Sequence, residues 1–343
     1  MTNTPSTLFA NSWEKFWKSG EQKSEKSTMM PCFGGQAEHL SRRWQTLLQP
    51  FISSVSQDDV VIDVAAGNGV VIYSLLHLLN QSDCSEMPQL ICTDYSLSAC
   101  QEAVSRDRNI TAVCAQSETL PFVDGVADLV LSQFGIEYSG DVGFAEAFRL
   151  LSSKGRFCAI CHIKEGVIYN ECLTHFNASL EFEDTNIFAT AEAVFTQANL
   201  VLEGQASQAS FIEADRAFSR SVNACKQIFG RYGKKVCAGY LFQIFVDLGK
   251  MFNNIQQYPL SEVLIWLENN RNEMRAYSER MKSMTQSALS EEDINNIFNN
   301  LRSSHTDCAI DWRYYTLFPE STNNDSSGGS KVTPIAWVIE MIK

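Results

Sequence analysis

The sequence predicts an α/β protein: a doubly wound, Rossmann-like sheet, then a long helical stretch, then a closing antiparallel hairpin. Three observations predict it. From about residue 58 to 164, short apolar β-branched runs alternate with helical ones, the grammar of right-handed βαβ crossovers. The first run ends in Ala65-Ala66-Gly67-Asn68-Gly69, a glycine bend where a strand hands over to a helix. Two aromatic, β-branched runs at the C-terminus are joined directly and so pair as a hairpin.

The elements follow in order. Trp13, Phe16 and Trp17 share one helical face, which predicts a short helix packed on the domain, with a flap over a ligand as the competing use. Residues 36–55 read as a helix with an apolar stripe of Leu40, Trp44, Leu47 and Leu48. VVIDVA (60–65) is a buried parallel strand, and 69–80 the helix after it. LICTDY (90–95) is the second strand, followed by a helix over 96–107 that Ser96 caps. NITAVCA (109–115) and ADLVLSQF (127–134) are the third and fourth strands. A helix over 141–152 opens at Asp141, and GRFCAICHI (155–163) is the fifth strand.

Beyond residue 165 the pattern turns helical, at 188–203, 211–229, 236–256, 261–287 and 290–302. Met274, Tyr277, Met281 and Met284 repeat at helical spacing as a core stripe. Ser290 and Asp293 form a capping-box-like start. AIDWRYYTLF (309–318) and TPIAWVIEMI (333–342) are the final strands, and the polar PESTNNDSSGGSKV between them reads as a mobile surface loop. The expected division is an N-terminal helical segment (1–57), a sheet domain (58–164 with 306–343) and a helical insertion (165–305).

Composition narrows the function. The 343 residues carry a net charge of −13, which disfavours non-specific nucleic-acid binding. The one dense basic run, Arg231 to Lys235, reads as a solvated helix end. The 11 cysteines are scattered through apolar runs, as buried thiols are in a reducing compartment. Cys158 and Cys161 form a C-x-x-C, but positions three apart on a strand face opposite ways, which argues against a metal or redox pair. The five histidines are dispersed, so no metal site is expected. No apolar stretch reaches the ~18 residues that span a bilayer, and the N-terminus lacks a secretory pattern. The expectation is a cytoplasmic protein with no membrane and no nucleic-acid partner.

The bend carries the functional signal. Glycines allow a tight turn and close approach of a ligand to the backbone, and Asp63 places a carboxylate at the strand end. A dinucleotide fingerprint would want a small residue where Ile72 stands, and an acid beside a pyrophosphate is unfavourable. A ligand with a sulfonium and an ammonium suits the acid better.

In this light VIDVAAGNG, LICTDYS, AQSETLPFVDGVADLVLSQF and EAFRLLSSKGRFCAICHI together resemble the class I S-adenosylmethionine (SAM)-dependent methyltransferases, in particular the broad small-molecule group that includes the ubiquinone and menaquinone biosynthesis methyltransferases. The resemblance implies a seven-stranded sheet of order 3-2-1-4-5-7-6 with the last strand antiparallel, and SAM as cosubstrate. It implies that Asp63, Ala65, Gly67, Asn68 and Gly69 wrap the methionine part. Asp94 would hold the ribose hydroxyls, and Tyr95 would pack on adenine. Gln116 and Ser117 stand where the family has an acid and alanine at the adenine amino group, and an amide oxygen can accept the same bond. Ser153-Lys154-Gly155 departs from the usual proline and glycines.

Methyl transfer from a sulfonium needs alignment and exclusion of water, and a base only if the acceptor must lose a proton. Gln133 and the stretch after it face the methyl, with Glu137 as a candidate base, Tyr138 as a pocket wall and His162 on the same rim. The adenine-directed methyltransferase motif is absent, since Ser132-Gln133-Phe134-Gly135 stands in its place, which with the acidic charge argues against a DNA substrate. The insertion is expected to cap the SAM edge and supply the acceptor pocket, with a homodimer surface as its alternative use; Phe211, Phe218, Tyr240, Phe242, Phe245 and Trp266 serve either. A SAM-fold enzyme moving another group, and a non-catalytic SAM- or partner-binding protein, are the competing readings.

Overall fold

A computed structural model describes residues 7–18, 36–82, 87–306, 308–319 and 332–343. Most of the expected loop before the last strand lies outside them.

Apolar runs become the interior of one seven-stranded sheet. In chain order its strands are β1 (Val60–Val64), β2 (Gln89–Asp94), β3 (Ile110–Cys114), β4 (Ala127–Gln133), β5 (Leu151–His162), β6 (Asp311–Leu317) and β7 (Ala336–Ile342). They lie side by side as β3-β2-β1-β4-β5-β7-β6, the expected order. The first five are parallel, and β7 runs antiparallel between β5 and β6. β1 is buried along its whole length, as a central strand covered on both faces must be.

The helices of this part are α1 (Thr7–Lys18), α2 (Ala37–Ile52), α3 (Val70–Gln81), α4 (Leu97–Arg106) and α5 (Gly140–Leu150). The expected stripe of α2 is buried, with Phe51 and Ile52 added. Ser96 caps α4 as expected, its hydroxyl accepting from the Ala99 amide at 3.1 Å. β5 begins four residues earlier than its apolar run, because Leu151 already pairs with Ala127 and an irregularity follows, where Lys154 takes a φ of +71°.

The remaining helices are α6 (Val167–Asp184), α7 (Ile187–Leu202), α8 (Gln208–Tyr232), α9 (Tyr240–Asn253), α10 (Leu260–Ser287) and α11 (Glu291–Ser304). α6 escapes the sequence pattern because its buried stripe includes His175 and Ser179 beside Ile168, Cys172 and Phe182. A short 3₁₀ turn over Val236–Gly239 separates α8 from α9.

The chain falls into two compact units. One holds the sheet, α1 to α5, the start of α6, the end of α10 and α11; the other is Cys172–Lys282. α11 opens with the predicted capping box and sends Ile294, Ile297, Phe298 and Leu301 into the sheet's core beside Phe144, Phe148 and Phe157. Inside the helical unit, Phe229, Phe242 and Phe245 form a ring cluster, and His175 Nδ1 lies 2.8 Å from the Tyr277 hydroxyl. Arg231 of the basic run pairs with Glu181. Met274, Tyr277, Met281 and Met284 are all buried. Cys161 points into the sheet's core cluster, and Cys158 does not. Burial pushes the Cys158 thiol up to about 12, so it stays protonated.

Candidate functional site

The site forms along the carboxyl edge of β1, β2, β4 and β5. After β1 the backbone reverses through left-handed conformations at Ala65 (φ +53°), Gly67 (+55°) and Gly69 (+78°). The bend is pinned from within by Gly69 N–H donating to Ala66 O at 2.9 Å, and from β2 by Ala66 N–H donating to Thr93 O at 2.9 Å. Asp94 does the rest. Its Oδ2 accepts from the Gly67 amide at 2.9 Å and its Oδ1 from the Ser96 amide at 2.8 Å. One carboxylate thus clamps the glycine bend to the start of α4.

Asp63 has no such partners. It is fully buried, and neither carboxyl oxygen has a hydrogen-bond partner, although the Ile72 amide faces it. Burial drives its pKa from 3.8 up to about 8; the Ile72 amide pulls against this, and repulsion by Asp94 adds to it. Burial likewise raises Asp94 to about 6, against the pull of the Ser96 and Gly67 amides. Two acids held this way form a potential well for a cation.

α1 lies over this half of the edge. Glu14 accepts from the hydroxyls of Ser96 (2.6 Å) and Ser98 (2.5 Å), which fixes the helix on the N-terminus of α4. The Trp17 ring packs close against Gly67: a Cβ at that position would stand 2.5 Å from it.

The other half begins where Gly135, after β4, packs on the bend. A Cβ at Gly135 would meet the Ala65 Cβ at 2.6 Å and its carbonyl oxygen at 2.8 Å. Ser132 stitches the same junction, donating to Val64 O at 2.8 Å and accepting from the Ile136 amide at 3.0 Å. The next 3₁₀ turn, Ile136–Ser139, turns Glu137 inward. Glu137 Oε1 accepts from the His162 backbone amide at 2.8 Å and lies 2.6 Å from His162 Nδ1. Both side chains are buried, and Glu137 Oε2 and His162 Nε2 have no hydrogen-bond partner. Phe134 tilts over the imidazole at 4.5 Å between centroids, and Tyr138 meets it edge-on at 5.9 Å. Trp13 of α1 in turn packs edge-on to Tyr138 at 6.1 Å.

The structure therefore gathers Asp63, Ala65, Gly67, Asn68, Gly69, Asp94 and Tyr95 at one half of the edge, and Glu137, Tyr138 and His162 at the other. Gln133 ends β4, and its oxygen is taken by the Trp44 indole N–H at 2.6 Å. Gln116 and Ser117 follow β3; the Ala115 amide before them donates to Asp94 O at 3.0 Å, while Gln116 itself is exposed. Glu14 and Trp44 carried no signal as site residues in the sequence; Trp17 stood only on a helical face whose competing use was a flap over a ligand, and Gly135 only in the stretch after β4 expected to face the methyl.

Residues 62–159 match the family model for a methyltransferase domain, less than half of the chain. The match does not single out the ubiquinone and menaquinone group. No curated protein matches the sequence. Among solved structures, similar chains include the Haloferax volcanii protein solved with the Trm112 methyltransferase activator (18% identity, 48% of this chain and 63% of that one, TM-score 0.33). The YcgJ protein of Bacillus subtilis is another (20% identity, 41% and 58%, TM-score 0.32). A third is the geranyl diphosphate C-methyltransferase of Streptomyces coelicolor, solved with Mg2+, geranyl diphosphate and S-adenosyl-L-homocysteine (13% identity, 47% and 67%, TM-score 0.35). The match spans less than two thirds of the first two chains.

Proposed function

We propose that this protein is a SAM-dependent methyltransferase acting on a small-molecule acceptor. The observation that carries the reading is the buried, unpartnered Asp63 carboxyl beside a bend braced by Asp94. A carboxyl raised to about 8 by burial lacks a compensating cation, and the ammonium and sulfonium of SAM supply one without bringing a phosphate. When bound, SAM supplies an activated methyl group on a good neutral leaving group.

The chain's own residues do the rest. Asp63 and the backbone from Ala65 through Asn68 to Gly69 hold the amino-acid end. Asp94, its carboxylate already oriented by two amides, accepts from the sugar hydroxyls with its remaining lone pairs. Tyr95, Gln116 and Ser117 line the base, and Gln133, fixed by Trp44, faces the methyl. Glu137, Tyr138 and His162 border the acceptor, and the aromatic walls exclude water where the methyl moves. The nine described cysteines are free thiols, most of them buried, which supports a cytoplasmic setting.

Titration calorimetry with S-adenosylhomocysteine and with NAD tests the reading. Saturable binding of the former alone is expected. Binding of NAD alone, or of neither, would sink it.

A further inference from the structure

Glu137 and His162 are set up as more than a pocket wall. Glu137 Oε1 takes the His162 backbone amide at 2.8 Å, so the carboxylate is held in place before the ring is considered. The same oxygen stands 2.6 Å from Nδ1, a distance that requires a proton between them. A neutral ring that donates this proton from Nδ1 keeps its lone pair on Nε2. Nε2 is buried and has no hydrogen-bond partner, and its ring packs against those of Phe134 and Tyr138. A basic nitrogen oriented by a carboxylate behind it, in an aromatic site beside the bend, is arranged to receive a proton from something that is not part of the protein.

We propose that His162 Nε2 is the general base of this site, that Glu137 is its positioning residue, and that the acceptor is therefore a flat apolar molecule bearing an acidic hydroxyl. This rests on the proposed SAM site. An amine acceptor is already nucleophilic in its neutral form and needs no such base. An aliphatic alcohol is too weak an acid for imidazole, whereas an aromatic or enolic hydroxyl is within its reach. In the transfer, the hydroxyl proton moves to Nε2 and the oxygen's electron pair forms the new C–O bond. The methyl–sulfur bond breaks with its pair left on sulfur as a neutral thioether. The imidazolium formed is compensated by the Glu137 carboxylate and later returns its proton to water.

The test uses the full chain with ¹⁵N-labelled histidine and S-adenosylhomocysteine bound, the His162 signals being assigned by their loss in His162→Gln. Two-bond ¹⁵N–¹H spectra are expected to show the proton on Nδ1 and a bare Nε2, and Glu137→Gln is expected to lose that preference. Methyl-labelled SAM is then supplied with para-cresol or para-toluidine. Label is expected on the cresol oxygen, falling by about 100-fold or more in His162→Gln and Glu137→Gln with S-adenosylhomocysteine affinity unchanged. A proton on Nε2 in the wild-type protein, label on the amine alone, or label on neither overturns the proposal. Absence of S-adenosylhomocysteine binding by the wild-type protein is a different failure: it removes the SAM site and leaves the tautomer result standing on its own.

Discussion

At the β1–β2 half of the edge, Asp94 gives both oxygens to backbone amides and leaves a second acid, Asp63, buried without a hydrogen-bond partner. At the β4–β5 half, Glu137 gives one oxygen to a backbone amide and to a ring nitrogen, and its other oxygen and the far nitrogen of His162 are left without a hydrogen-bond partner. Each half is braced by one carboxylate and carries a buried polar side chain with an atom that has no hydrogen-bond partner. The difference lies in what each group wants: an acid raised in pKa by burial attracts a cation, and an oriented imidazole attracts a proton. In the proposed reaction, one half binds the positive donor and the other deprotonates the acceptor.

The largest effect should come from Asp94, the brace that is also proposed to hold the ligand. Asp94→Ala orphans the Gly67 and Ser96 amides, each costing about 1–3 kcal/mol when buried unpaired. A drop of many degrees in Tm and loss of measurable S-adenosylhomocysteine binding are expected. Glu137→Ala orphans the His162 amide and should lower Tm while leaving that binding intact. If both variants lose the ligand equally, the two halves are not functionally distinct.

Asp63→Asn sharpens the contrast next. A carboxyl whose folded pKa (about 8) exceeds its unfolded value binds its proton more tightly when folded. Its contribution therefore favours the fold at low pH and is lost progressively as pH rises from about 4 to about 8. The wild-type protein should lose stability across that window, and Asp63→Asn should flatten the slope while weakening SAM binding at least about 10-fold. A cation that lowers the Asp63 pKa on binding must release a proton near pH 7, which calorimetry in buffers of different ionisation enthalpy reads directly. An unchanged pH slope in the variant would mean that Asp63 is not the titrating group.

The junction between the halves is the third target. Gly135→Ala drives a methyl into the Ala65 carbonyl, 2.8 Å away on rigid backbone, with an expected cost of about 1–3 kcal/mol. Chemical denaturation measures it, and both halves should weaken together. A neutral substitution would show that the bend moves freely relative to the β4 loop.

How far these features could be read beforehand depended on where their cause lies. The strands, the bend and the order of the sheet were legible because burial on both faces imposes apolar β-branched runs and the handover imposes glycines. Asp63 and Asp94 were singled out in the sequence as acids beside the bend, but not that Asp94 accepts from backbone amides while Asp63 has no hydrogen-bond partner, since the clamp depends on a contact 27 residues apart in sequence. Glu137 and His162, 25 residues apart, were named separately and not as a pair, because their bond forms only when β4 and β5 lie side by side. α6 was missed because His175 and Ser179 interrupt an apolar stripe, each satisfied inside the helical unit by partners about 100 residues away, Tyr277 and Ser278. Gly135 was expected to face the methyl with the rest of its stretch, but its packing on the bend gave no signal, for a lone glycine after a strand fits any turn.

The smallest expected effect concerns the aromatic helix that spans the two halves, Trp17 on the acid side and Trp13 on the base side. A Cβ at Gly67 would stand 2.5 Å from the Trp17 ring, so no ligand atom fits on that face of the bend while the ring is there. A ligand that contacts the Gly67 backbone must first displace it. Trp17→Ala should therefore raise S-adenosylhomocysteine affinity a few-fold, chiefly through faster association, because the cost of moving the ring is removed. Trp13→Ala, which leaves that face covered and loosens only the contact with Tyr138, should leave association unchanged. Stopped-flow binding separates the two. Slower association in Trp17→Ala would make the ring a wall the ligand packs against, and would place α1 with the acid half as part of the binding surface instead of in front of it.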